Sequence, residues 1–207
     1  MERIILASGS PRRRELLEAA GIGFDILVPD IDESTRDILP PAKRVLALAE
    51  DKALAIACAA PASSPRLVLA ADTLVCVPAA DQGLVEDALG KPRDATEARS
   101  MLERLSGTEH VVRTGVFLID RASGERYSAR SDTMVRFAAL SEAEIDGYLA
   151  SGEWNGAAGA YRIQGLASLL VDRIDGSWTG VVGLPMHELY VMLRKADFRI
   201  SSLSGTE

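Results

Sequence analysis

The chain has 207 residues, nearly half apolar and about a quarter charged, which suits one substantial α/β domain or two lobes sharing one sheet. Its net charge of −7 argues against a nucleic-acid-binding surface, which needs a basic stripe to displace counterions. It leaves room for a small polyanion held by a few cations gathered in one place. No stretch approaches the roughly 20 apolar residues of a membrane span. The short apolar run Ile4-Ile5-Leu6-Ala7, followed by Arg12, Arg13 and Arg14, is unlike a secretory signal, so a cytoplasmic location is expected. Cys58 and Cys76 sit in apolar surroundings without metal-ligand spacing and are expected as reduced core residues.

In chain order, Arg3 to Ala7 reads as a buried strand. A helix follows from Pro11 to about Ala20, with Ser10 as N-cap and Gly21 as the stop. Phe24 to Val28 reads as a strand, Asp30 to Glu33 as an acidic loop, and Pro41 to Ala59 as a long helix. Leu67 to Val77 is a strong apolar strand, and an irregular hairpin-like stretch leads to Gly90-Lys91-Pro92. Capping boxes at Asp94 with Glu97 and at Ser141 with Glu144 open two helices, ending at Ser106-Gly107 and Gly152. Between them, His110 to Asp120 and Glu125 to Phe137 read as strands joined at Ala122-Ser123-Gly124. A glycine-rich segment from Gly156 to Gly165 precedes a strand from about Ala167 to Ile174, and Gly183-Leu184-Pro185 opens the last helix. No linker or repeat divides the chain, so a single domain over 1–207 is expected, mixed α/β with parallel crossovers and antiparallel hairpins.

Five places carry chemistry. Ser8-Gly9-Ser10-Pro11-Arg12-Arg13 puts a small-residue turn and a helix N-terminus together, a natural anion site. Arg13 lies in line with the core stripe of Leu16, Leu17 and Ala20, whereas Arg14 points to solvent near Glu18. The plain alternative is a helix start with arginines reaching for water. Lys52 falls on the apolar face of Val45, Ala49 and Ile56; its ammonium either reaches a cleft or pairs with Glu50 or Asp51. Asp72, inside an apolar strand, needs a cation, a metal or several donors to stay charged, and Glu33 is the obvious second carboxylate for magnesium; the alternative is a structural aspartate bonded to loop backbone. Lys91 is presented by Gly90 and Pro92, as a ligand group or as solvated surface. Gln164, within Tyr161-Arg162-Ile163-Gln164-Gly165, suits base recognition, or else that segment is a turn packing Tyr161 on the sheet. His110 and His187 form no zinc cluster, and no Walker loop, dinucleotide fingerprint or Gly-x-Ser-x-Gly elbow occurs.

Together these segments resemble the Maf family of nucleotide pyrophosphatases over nearly the whole chain. The carriers are Leu6 to Arg13, Asp32-Glu33, Lys52-Ala53, Ala71-Asp72-Thr73, Gly90-Lys91-Pro92, Tyr161 to Gly165 and Val182 to Pro185. The resemblance implies a fold similar to inosine triphosphate pyrophosphatases, an elongated mixed sheet with flanking helices and two lobes around a central cleft. It implies a nucleoside triphosphate as substrate, magnesium or another divalent cation such as manganese, and a homodimer. Arg12, Thr73 and Gln164 match the branch that hydrolyses dTTP and UTP, rather than the one preferring 7-methyl-GTP. The roles so implied are phosphate and substrate binding for Ser8, Ser10, Arg12, Arg13, Thr73 and Gln164. Asp72, Glu33, Lys52 and Lys91 would be catalytic, with Glu33 and Asp72 holding the metal. One departure is Ala157, where many members have lysine; Arg162 is a candidate to supply that charge. The alternative function is a non-catalytic nucleotide-binding regulator linked to cell division. A phosphatase releasing single phosphates would use the same residues.

Overall fold

A computed structural model describes residues 2–79 and 86–200 of the chain. Its strands are β1 (Arg3–Leu6), β2 (Gly23–Ile26), β3 (Leu67–Pro78), β4 (Glu86–Leu89), β5 (Glu109–Asp120), β6 (Arg126–Phe137) and β7 (Val171–Asp175). Its helices are α1 (Pro11–Ala19), α2 (Pro41–Ala59), α3 (Ala95–Leu105), α4 (Glu142–Ser151), α5 (Trp178–Val182) and α6 (Met186–Lys195). The strands form one sheet in the order β2-β1-β3-β5-β6-β7, with β4 paired to β3. The sheet is mixed, as expected: β1 runs parallel to β2 and β3, while β4 and β7 run antiparallel to β3 and β6. The chain clusters into two compact units, one of Met1–Asp72, Thr114–Arg130 and Gly183–Glu207, the other of Thr73–Arg113 and Ser131–Val182.

In the first unit both faces of the strands are covered, so alternate side chains enter two different cores. Ile4, Leu6, Leu67, Leu69, Ala71 and Leu118 pack with Leu17 of α1 and with Leu189 and Leu193 of α6. Ile5, Ala7, Val68, Ala70, Phe117 and Ile119 pack with Ala49, Ala53 and Ile56 of α2. That alternation continues along β3 and turns Asp72, next after Val68 and Ala70, to the α2 side. The helix lies hard against β5. A Cβ on Gly115 would sit 2.4 Å from the Val45 carbonyl oxygen, so only glycine permits this approach. The far end of α2 is held by Arg121, whose guanidinium donates to the carbonyls of Ala57, Ala60, Pro61 and Pro65.

In the second unit, Leu102 and Leu105 of α3 and Ile145 and Tyr148 of α4 are buried. His110, Phe137 and Tyr161 form an aromatic cluster with ring centroids 5.0 to 5.6 Å apart. Tyr161 does pack against the sheet, as the turn alternative had it.

Several local expectations change. The strand expected from Ala167 begins at Val171, and Leu166–Leu169 is a 3-10 turn. The Leu166 N–H is taken by the Glu153 carboxylate at 2.9 Å and is lost to strand pairing. The capping box is complete at Ser141 and Glu144, but at α3 only half forms. Asp94 accepts from the Glu97 N–H, whereas the Glu97 carboxylate accepts from the N–H of Arg93. Ser10 occupies the N-cap position of α1 without a side-chain cap bond. Cys76 is buried, and burial pushes its thiol up to about 11, whereas Cys58 is exposed rather than a core residue. The hairpin-like stretch before Gly90 resolves into β4, with residues 80–85 outside the described part.

Candidate active site

The first constellation stands at the turn between β1 and α1. Ser8 is buried, and its Oγ accepts from the Ser10 N–H at 3.2 Å and from Arg13 Nη1 at 3.0 Å. Arg13 Nε donates to the Gly183 carbonyl at 2.8 Å, which ties the turn to the segment opening α6. The Ser8 hydroxyl keeps its own O–H to donate. A cation in the first turn of a helix works against the helix dipole. Burial pushes the Arg13 guanidinium pKa down, nearby Asp72 and Glu33 raise it, and Arg12 lowers it. Two carboxylates within electrostatic reach thus offset part of the cost of that placement. Arg12 is half-buried in the same turn. Arg14 is not the solvated residue expected: it is half-buried, and its Nε is covered without a hydrogen-bond partner.

The second constellation is built by α2, β3 and the turn before α2. Lys52 is 8% exposed on the apolar stripe, and its Nζ lies 2.6 Å from Asp72 Oδ1 and 2.8 Å from Glu33 Oε1. Neither sequence neighbour takes it: Glu50 pairs with Arg126, and Asp51 pairs with Arg36. Glu33 opens a 3-10 turn, Glu33–Arg36, capped by Asp32, whose carboxylate accepts from Ser34 N and Oγ. Those bonds hold the Asp32 pKa below the usual range. Arg36 then grips Asp51 with two bonds of 2.7 and 2.8 Å, fixing the turn on α2. Glu33 and Asp72, far apart in sequence, therefore share one ammonium.

Among the described residues no group of three or more His, Cys, Asp or Glu side chains is placed to hold an ion. What the chain offers is this pair of carboxylates. Two carboxylates, completed by water and phosphate oxygens, are the donor set that magnesium prefers, so the residues present fit such a cation.

Thr73, Lys91 and Gln164 belong to the second unit. Pairing of β3 with β4 runs as far as Val75 opposite Leu89, so Lys91, two residues on, leaves the ladder at the level of Thr73. Lys91 is exposed, and its loop is tied to the glycine-rich segment by the Gly159 N–H donating to the Gly90 carbonyl at 3.0 Å. Gly159 has φ 65° and packs against Val75, so that segment closes on β3 only with glycine there. Gln164 is exposed. Ala157 is 1% exposed, and Arg162 donates to the Asn155 carbonyl.

Sequence reasoning missed the side chains that hold the Gln164 segment. Tyr148 Oη accepts from the Arg162 N–H at 3.1 Å, Glu153 accepts from Leu166, and His110 Nε2 lies 2.8 Å from the Tyr161 hydroxyl. No periodicity or motif links these partners, so only the fold brings them together.

Residues 3–196 match the family of Maf-like proteins. The chain belongs to the Maf family. A dTTP/UTP pyrophosphatase of Treponema denticola is 41% identical over 202 residues, covering 97% of this chain and all of that protein. One from Symbiobacterium thermophilum is 44% identical over 200 residues, covering 97% of each chain. One from Vibrio cholerae is 44% identical over 195 residues, covering 94% of this chain and 98% of that protein. Among solved structures, a nucleoside-triphosphatase/dITP/XTP pyrophosphatase of Mycobacterium abscessus aligns with 67% of this chain and 75% of its own, at 16% identity and a TM-score of 0.35. The fold of this Maf chain rests on its own sheet topology.

Proposed function

We propose that this Maf chain is a nucleoside triphosphate pyrophosphatase acting on dTTP and UTP, and that it releases the nucleoside monophosphate and pyrophosphate. The observation that carries the reading is the buried Asp72–Lys52 pair joined by the exposed Glu33 carboxylate, with Arg13 in electrostatic reach of both acids. Full-length relatives named for that activity support the substrate. A purely nucleotide-binding regulator has use for the cations but none for two acids, one buried and one exposed, gathered on one lysine.

A triphosphate carries about four negative charges near neutral pH, and cleavage develops more on the departing pyrophosphate. Ser8, the backbone around Ser10, Arg12, Arg13 and Lys91 bind and orient the phosphate chain. Lys52 pairs with Asp72 at 2.6 Å and holds its carboxylate in place. Asp72 orients the attacking water and takes up its proton. The water oxygen bonds to the α phosphorus while the bond to the bridging oxygen breaks, and the electron pair leaves on pyrophosphate. Thr73 and Gln164 meet the pyrimidine. Glu33 and Asp72 would hold magnesium or manganese; when bound, that cation offsets phosphate charge and acidifies water. The homodimer and cytoplasmic setting implied by the family belong to the same proposal. Among the described residues no helix is long and apolar enough to cross a membrane.

Hydrolysis in oxygen-18 water tests the step. Label in dTMP, with none in pyrophosphate, is expected from attack at the α phosphorus. Label in pyrophosphate, or release of single phosphates, would contradict the reaction.

A further inference from the structure

Gln164 is exposed on a short irregular segment, where an amide side chain has little to fix its direction. Its backbone on either side is nevertheless fastened to side chains. The N–H two residues before it, on Arg162, donates to Tyr148 Oη at 3.1 Å, and the N–H two residues after it, on Leu166, donates to Glu153 Oε2 at 2.9 Å. Tyr148 is a buried residue of α4, and Glu153 follows the Gly152 cap of the same helix. Between the anchors, Gly165 N–H donates to the Arg162 carbonyl at 3.0 Å and closes a tight turn with Gln164 inside it. The Glu153 carboxylate also occupies the space that a side chain on Gly165 would need: a Cβ there would lie 2.2 Å from Glu153 Oε2. Glycine at 165 thus lets the acceptor come close enough to hold Leu166.

We infer that Glu153, seconded by Tyr148, is a positioning residue for nucleobase selection, acting through Gln164 by clamping the backbone on both sides of it. The inference rests on the proposed base-reading role of Gln164. Of the two anchors Glu153 is the one to perturb, because it is only half-buried, whereas Tyr148 belongs to the core. A charged acceptor on a backbone N–H is worth roughly tenfold to a hundredfold in the population of the clamped segment. Its loss is spent on base recognition rather than on the phosphate chemistry.

The experiment measures kcat and KM for dTTP and GTP, with magnesium, in the full chain and in Glu153→Ala, Glu153→Gln, Gly165→Ala, Gln164→Ala and the Glu153→Ala/Gln164→Ala double variant. Glu153→Ala is expected to raise KM for dTTP about tenfold, with a smaller change in kcat, and to narrow the dTTP-over-GTP preference. Glu153→Gln keeps an acceptor oxygen and should stay within about threefold of the parent. Gly165→Ala displaces the carboxylate without removing it and should reproduce the Glu153→Ala pattern, which guards against a folding defect peculiar to that variant. In the Gln164→Ala background, Glu153→Ala should add less than about twofold. Parent-like KM and preference in both Glu153→Ala and Gly165→Ala would overturn the inference, as would losses from Glu153→Ala and Gln164→Ala that multiply. Unchanged KM and preference in Gln164→Ala would remove the base-reading role and the inference with it. Absence of pyrophosphate release by the parent chain would instead sink the proposed function itself.

Discussion

Replacing Lys52 by methionine keeps the stem that packs on the α2 stripe and removes the ammonium shared by Asp72 and Glu33. The consequence differs for the two acids. The Glu33 side chain is 52% exposed, so water re-solvates it, and its share of the loss is under about 1 kcal/mol. The Asp72 side chain is 10% exposed and has no such recourse. Stranding one partner of a buried pair costs about 3–5 kcal/mol, and the nearby Arg13 guanidinium offsets part of that for Asp72. A net loss of about 3 kcal/mol is expected, or a fall in Tm of about 6–12 °C for a chain of this size. Urea denaturation of Lys52→Met, Asp72→Asn and the double variant reads it. Because Asp72→Asn removes the stranded charge, the double variant should be more stable than additivity predicts by about 2 kcal/mol. A cost for Lys52→Met under about 1 kcal/mol, or strictly additive costs, would mean that burial does not strand the Asp72 charge.

Three further outcomes follow from the same geometry. Gly115→Ala would drive a Cβ to 2.4 Å from Val45 O, a backbone atom that cannot step aside, so a loss of about 3 kcal/mol or more, or failure to fold, is expected by denaturation. Asp72→Asn should abolish turnover while calorimetry still detects triphosphate binding; retained turnover would remove Asp72 as the base. Burial lowers the His110 pKa from 6.5 to about 4, so below pH 6.5 the unfolded chain takes up a proton that the native one refuses. Stability should therefore be complete above that pH and fall as pH drops toward 4, by as much as about 3 kcal/mol, and His110→Gln should flatten that part of the profile.

Much of the frame was legible because local rules decide it. The bounds of α2 follow from proline at its start and a long apolar stripe, and the two-sided burial of β3 follows from its unbroken apolar run. Lys52 and Asp72 stood out as charges where charge is costly. Their partnership did not, since Glu50 and Asp51 were nearer in sequence; only helix-on-strand packing sends Lys52 to β3 and frees those acids for Arg126 and Arg36. Glu33 was readable as an acid in a loop, but its direction depends on a capped turn fastened from α2. The Arg13 bond to Gly183 and the Glu153 bond to Leu166 involve backbone atoms, which no residue type announces. Burial of the Arg14 Nε and exposure of Cys58 likewise depend on neighbours remote in sequence.

Product analysis decides the reaction: the chain with magnesium is given dTTP, UTP, CTP, GTP and 7-methyl-GTP, and the products are identified. Pyrophosphate with dTMP and UMP, formed faster than any product from GTP or 7-methyl-GTP, is the predicted result. Nucleotide binding without turnover of any substrate would contradict it and leave a regulator in its place.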